Sequence, residues 1–181
     1  MAKASLQITL LACILGLLGT VSSQDPTSMA FQQTISPSPK IVDGNIISKE
    51  GTINSDLFQD NVVVGYLFAA DWCGHCRFFT PMLIDLYKKW NENGKRIEII
   101  WLPYSNTEEN WANYYSEMPW MSLPFNDPRI KLLEKKFSVR ILPTLVIVNK
   151  DEQALSTMAH NDVFEVGEAA IDLWAALYDW D

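Results

Sequence analysis

Residues 62–70 form an apolar run, rich in β-branched and aromatic side chains, with no polar position to mark a solvent face. Such a run predicts a strand buried on both sides of a sheet. The period then changes. Beyond Cys76, apolar side chains fall at Phe78, Phe79, Met82, Leu83, Leu86, Tyr87 and Trp90, the spacing of a helix that buries one face, and Asn93-Gly94 supplies a stop. Pro81 stands inside that helix, where it removes a backbone donor and crowds the carbonyl of Arg77, so a kink is predicted. Residues 97–102 repeat the buried-strand pattern. The unit therefore reads strand, helix, strand, with parallel strands and a right-handed crossover.

Ile41-Val42 and Ile46-Ile47 flank Asp43-Gly44 and suggest a short hairpin, followed by a helical turn at 54–58. Thr107 with Glu108 and Glu109 starts a helix carrying Trp111, Tyr114, Tyr115 and Met118. Pro119 and Pro124 bracket a loop, and a further helix covers 128–137. Strands at 144–148 and 154–157 surround the turn Asn149-Lys150-Asp151, and a last helix covers 167–178. Alternating strands and helices make the chain α/β, with a central sheet flanked by helices.

The chain has 181 residues, 48% of them hydrophobic, enough to fill one core, which we assign to residues 41–181. A formal charge of -8, with no Lys/Arg cluster along the sequence, disfavours a nucleic-acid partner, which needs a concentrated basic face. Residues 1–23 read as a signal peptide: Lys3 precedes an apolar stretch over 6–19, and Val21-Ser22-Ser23 offers small residues for cleavage before Gln24. A membrane anchor is the competing reading, but that stretch is short of the ~20 residues a spanning helix requires. Residues 24–40, with Pro26, Pro37 and Pro39 among Ser, Thr and Gln, read as a disordered leader. No membrane association is expected after cleavage, and the C-terminal Tyr178-Asp179-Trp180-Asp181 is not a retention signal for the endoplasmic reticulum, so a secreted protein is expected.

Cleavage would remove Cys13 and leave Cys73 and Cys76 alone. A single closely spaced pair in an oxidising compartment points to redox work rather than to a stabilising framework. Trp72-Cys73-Gly74-His75-Cys76 lies where the first strand passes into the helix. There the unpaired N–H groups and dipole of the helix N-terminus stabilise a thiolate on Cys73, and Cys76 lies one turn on, within disulfide reach. Protonated His75 adds positive charge beside that thiolate.

This segment resembles the active-site motif of protein disulfide isomerases, and its setting resembles that of thioredoxins, whose helix kink Pro81 also matches. The similarity to tryparedoxins and nucleoredoxins is closer still. It is carried by Cys76-Arg77-Phe78-Phe79-Thr80-Pro81-Met82-Leu83, Tyr114-Tyr115-Ser116-Glu117-Met118-Pro119-Trp120, Leu123-Pro124-Phe125 and Ile141-Leu142-Pro143-Thr144-Leu145. The resemblance implies a thioredoxin fold with a central mixed sheet, and a thiol-disulfide oxidoreductase that acts as a monomer, without cofactor or metal, on protein or small-molecule disulfides and dithiols. It implies Cys73 and Cys76 as catalytic residues, Trp72, Gly74 and His75 as their support, and Leu142-Pro143-Thr144 as a cis-proline loop that binds substrate.

Two departures stand out. Thioredoxins and protein disulfide isomerases place a buried acid six residues before the first cysteine, where this chain has Leu67, as tryparedoxins also lack it. Around Ser105-Asn106 and His160-Asn161-Asp162 the chain lacks the charged side chains with which tryparedoxins meet their polyamine-dithiol carrier, so that carrier is not expected as reductant. Zinc needs about four ligands, and only His75 and the distant His160, read as a surface residue, stand to join the two sulfurs. A closed structural disulfide remains the simpler alternative. With it goes a second reading of the whole chain, a non-catalytic polypeptide-binding or chaperone-like module presenting Trp72 and the Pro143 loop.

Overall fold

The computed structural model describes residues 40–41, 44–53 and 57–180. The expected signal peptide lies outside them, as does the leader apart from Lys40. In chain order the elements are β1 (Ile46–Ser48), β2 (Gly51–Ile53), β3 (Val63–Ala69), α1 (Gly74–Trp90), β4 (Ile97–Pro103), α2 (Glu108–Ser116), β5 (Met121–Ser122), α3 (Arg129–Lys136), β6 (Thr144–Val148), β7 (Ala154–Ser156), α4 (Ala159–Val166) and α5 (Ala170–Ala175). A 3-10 turn, Gly167–Ala169, joins the last two helices.

Every residue of β3 and β4 is buried, as their unbroken apolar runs predict. The two strands pair in parallel, Val63 opposite Ile97 through Ala69 opposite Pro103, and β6 pairs antiparallel on the other side of β3, with Phe68 opposite Thr144. The mixed sheet has the order β2-β1-β5-β4-β3-β6-β7. Alternate side chains of each strand leave opposite faces. Val64, Tyr66 and Phe68 pack with Ile130, Leu133 and Phe137 on the α3 side. Leu67, Ile99 and Trp101 meet Phe79, Leu83, Trp90 and Trp174 on the other. Each fully buried large apolar side chain contributes roughly 1.5–3 kcal/mol, so both layers hold the central strands in place.

Gly65 answers a close approach in the middle of β3: a Cβ there would stand 3.2 Å from Leu145 Cδ1. Glu98 is the buried charge of β4, and it accepts from the Tyr87 hydroxyl at 3.3 Å and from the Lys95 ammonium. Helix α1 continues through Pro81 and ends at Trp90, earlier than the Asn93-Gly94 stop. Asn91 ends it instead, because its Oδ1 accepts from the N–H groups of Arg96 (2.8 Å) and Ile97 (3.1 Å), which turns the chain into β4.

The N-terminal hairpin differs from the expectation. Its strands are β1 and β2, turning at Lys49-Glu50. Gly44 is no hairpin turn. It lets the chain pass over Arg129, whose guanidinium a Cβ would meet at 2.7 Å, and which donates to the carbonyls of Ile41 and Asn45. Val42 and Asp43 lie outside the described residues, as do residues 54–56 of the expected helical turn, while Leu57 and Phe58 are irregular. The 119–124 loop contains β5, a strand too short to carry a pattern. The expected last helix at 167–178 is present as the 3-10 turn and α5 but ends at Ala175, and α4 precedes them. Helix α4 escapes pattern reading because only Ala159, His160 and Val163 are buried along it. His160 is thus no surface residue: its Nδ1 accepts from the Leu145 N–H at 3.4 Å.

Candidate active site

The end of β3 delivers Cys73 to the position just before α1. As the N-cap residue, Cys73 adopts an extended backbone (φ -84°, ψ 115°), and its Sγ accepts the N–H of Cys76 at 3.2 Å. This bond satisfies one of the helix's orphan donors with sulfur, and it aims a partial positive charge at that sulfur. Its own thiol donates to the Leu142 carbonyl at 3.6 Å. The Leu142–Pro143 peptide bond is cis. Thr144, the next residue, is buried and donates its hydroxyl to the Ile141 carbonyl at 2.8 Å. Two segments 69 residues apart in sequence therefore meet at one sulfur.

The two cysteines, both free thiols, differ in surroundings. Cys73 is 9% exposed and opens on a groove, whereas Cys76 is fully enclosed. Burial pushes the Cys76 thiol up to about 12, and the neighbouring Cys73 sulfur adds to that rise. Leu67, at the position of the missing acid, is buried apolar surface. Two hydroxyls on this side of the sheet are those of Thr80, one helical turn beyond Cys76, and Tyr114, which donates to Thr80 Oγ1 at 2.8 Å. Burial lifts the Tyr114 hydroxyl to about 12 against its hydrogen bond with Thr80, with a further push from the charge of a Cys76 thiolate.

Trp72 is 57% exposed and Ile141 59%, an apolar rim beside Cys73. The indole N–H of Trp72 donates to the Tyr104 carbonyl at 2.7 Å, and the Tyr104 hydroxyl donates to Glu134 at 2.8 Å. Together with Arg140, these residues and Leu142 line a groove of about 340 Å³ that reaches Cys73. Gly74 and His75 lie exposed at the start of α1, and nothing stands within 4 Å of where a Gly74 Cβ would be. A cavity of about 310 Å³ between Phe58, Leu155 and Tyr178 contains neither cysteine.

The structure thus brings together Trp72, Cys73, Cys76 and the Leu142–Thr144 loop. Sequence reading missed Tyr104, Glu134 and Arg140. Tyr104 had a signal, because it directly follows the C-terminal end of a parallel strand, where α/β sites collect. Among the described residues no cluster of three His, Cys, Asp or Glu is placed to hold a metal ion, and no helix is long and apolar enough to cross a membrane.

Comparison with known proteins agrees with this fold. Tryparedoxin of Trypanosoma brucei brucei is 34% identical over 132 residues, which cover 72% of this chain and 90% of that protein. Nucleoredoxin of Danio rerio is 26% identical over 90% of this chain, which spans only 38% of that longer protein. The solved structure of tryparedoxin II complexed with glutathionylspermidine superposes with a TM-score of 0.63 at 33% identity, covering 69% of this chain and 88% of that one. The thioredoxin-like family model matches residues 61–154, a span that contains β3, α1 and β4, both cysteines and the Leu142–Thr144 loop. The chain therefore belongs to the thioredoxin-like family, with nucleoredoxin- and tryparedoxin-like relatives.

Proposed function

We propose that the protein is a thiol-disulfide oxidoreductase in which Cys73 attacks and Cys76 resolves. The observation that carries this reading is the asymmetry of the pair: a capped sulfur open to a groove, and a second thiol enclosed one turn inside the helix. The Cys73 thiolate attacks one sulfur of a substrate disulfide, forming a mixed disulfide, and the other substrate sulfur leaves with the bonding electron pair and takes a proton from water. Cys76 then loses its proton and attacks Cys73 Sγ. The second substrate sulfur is released as thiolate, and the chain is left with a Cys73–Cys76 disulfide. Two electrons have passed to the substrate, and the reverse sequence oxidises a dithiol. Trp72 and Ile141 supply apolar contact beside the reacting sulfur, and the backbone of Leu142 supplies a polar edge. Reduction of insulin by the mature protein, with a Cys73→Ser control, tests the activity: turnover that survives in the control sinks this reading.

In this reading the Gly74-His75 pair tunes the potential. His75 is exposed beside the N-terminus of α1, and its cationic form favours the reduced, thiolate-bearing state, which makes the disulfide more oxidising. His75→Pro is expected to lower the potential, from near about -180 mV toward about -270 mV. Equilibration with glutathione measures it, and an unchanged or higher value removes His75 from this role.

The working compartment belongs to the same proposal. The apolar stretch at 6–19 and the small residues before Gln24 support entry into the secretory pathway and secretion of the mature chain. N-terminal sequencing of native protein is expected to begin near Gln24, and an intact Met1 in a cytosolic fraction would reject it.

A further inference from the structure

We infer that the disulfides this site takes are flanked by acidic polypeptide, whose carboxylates run from the Cys73 groove onto Lys131, Lys135 and Arg140. The inference rests on Cys73 as the attacking sulfur and concerns which substrates reach it. The chain carries a net charge of -8, yet Arg129, Lys131, Lys135, Lys136 and Arg140, five of its 14 basic residues, fall within residues 129–140 beside the single acid Glu134.

Two of the five are engaged away from the grooves. Arg129 is nearly enclosed against Asp127, and the Lys136 ammonium lies 5.3 Å from the Phe137 ring centroid. The other three border a second groove of about 260 Å³, which shares Glu134, Val139 and Arg140 with the groove at Cys73. A path therefore leads from the reacting sulfur past Arg140 to Lys135 and Lys131, which stand four residues apart on one face of α3. Along it the one carboxylate is already occupied: Glu134 accepts from Tyr104 at 2.8 Å and lies 3.5 Å from the Lys131 ammonium. Lys135 and Arg140 are exposed and form no ion pair or side-chain hydrogen bond among the described residues.

Charge complementarity fits carboxylates to this path, and its extent selects a polypeptide. A small acidic disulfide seated at Cys73 meets Arg140 alone, because Lys131 and Lys135 line only the second groove. A chain that extends beyond the first groove meets all three. A surface like this acts through encounter rate and register, and salt weakens it.

The test uses the reduced mature protein and disulfide-linked peptides of equal length, with Glu/Asp, Ser or Lys flanks. Rates on each variant are divided by its rate with neutral 2-hydroxyethyl disulfide. The acidic peptide is expected to have the highest kcat/KM, with the advantage shrinking above about 0.1 M salt. Arg140→Glu is expected to lower the acidic-to-basic ratio about tenfold. Lys131→Glu with Lys135→Glu is expected to do the same for long peptides but not for short ones confined to the Cys73 groove. An unchanged ratio with normal turnover of 2-hydroxyethyl disulfide overturns the selectivity alone. Absence of that turnover in the wild-type protein overturns the redox reading beneath it as well. Inhibition by a DNA duplex stronger than by an acidic peptide of equal charge overturns the polypeptide assignment.

Discussion

Cys76→Ser is expected to accumulate client proteins joined to Cys73 by disulfide, visible on a non-reducing gel, while Cys73→Ser accumulates almost none. The mixed disulfide lasts until a second thiol breaks it, and in this site that thiol is Cys76, whose backbone N–H already points at Cys73 Sγ across 3.2 Å. Iodoacetamide reads the same asymmetry chemically. Only a thiolate alkylates, and with its thiol held up to about 12 by burial, Cys76 stays in its unreactive thiol form near neutral pH. Reduced Cys73 is therefore expected to be modified first, with Cys76 following only as the pH rises toward about 12 or the fold opens. The sign for stability follows. An unfolded cysteine ionises near about 8.5, so burying neutral Cys76 stabilises the reduced fold fully below that pH and ceases to do so as the pH climbs to the folded value. Equal alkylation rates, or equal trapping by the two serine variants, would reverse or abolish the assignment of attacker and resolver. Trapping by neither would favour the non-catalytic binding module.

Arg129→Ala is expected to cost about 3–5 kcal/mol, enough to lower the melting temperature by roughly 10 °C or more. The guanidinium is 12% exposed and its partner Asp127 10%, so removing it strands a carboxylate in a nearly closed place. It also frees the carbonyls of Ile41 and Asn45, which hold the first residues of the domain against α3. In the wild type, burial pushes the Asp127 carboxyl up, but the hydrogen bonds and charge of Arg129 outweigh it and hold the group below its ordinary range. The wild type thus gains stability from this group above about pH 3.9, and loses it as the pH falls through the lower folded value. In the variant the backbone N–H of residue 129 still donates to the carboxylate, but without the guanidinium burial is less well opposed and that carboxyl rises, so the penalty is greatest at neutral pH and shrinks on acidification. Urea unfolding of both proteins between about pH 4 and 7 measures this. A difference below about 1 kcal/mol, or one that ignores pH, would mean that Arg129 is dispensable.

The features legible along the chain are those set by local pattern. The doubly buried runs at β3 and β4, the periodicity of α1 and the Thr107 cap of α2 needed no knowledge of distant neighbours, because burial on two faces, helical spacing and side-chain capping each leave a mark within a few residues. The strand-to-helix position of Cys73 and Cys76 followed from the same marks. The hairpin and α4 did not. Strands of two or three residues, such as β1 and β5, are held by pairing rather than by propensity, and Gly44 marks a close approach to Arg129 although its dipeptide resembles a turn.

The surroundings of the cysteines were also beyond local reading. Sequence alone determined that a cysteine pair would stand at the mouth of a βαβ unit, because a helix N-terminus and a buried strand are local objects. Only the tertiary structure decided that β6 would pair beside β3 and carry the Leu142 carbonyl to Cys73, and that Tyr104, Glu134 and Arg140 would border the same groove. It also set Lys131, Lys135 and Arg140, from the basic stretch at 129–140 that pattern reading passed over, along a path that leads to Cys73. These neighbours come from three separate segments, and sheet order together with helix packing, both satisfied over tens of residues, determines which of them meet.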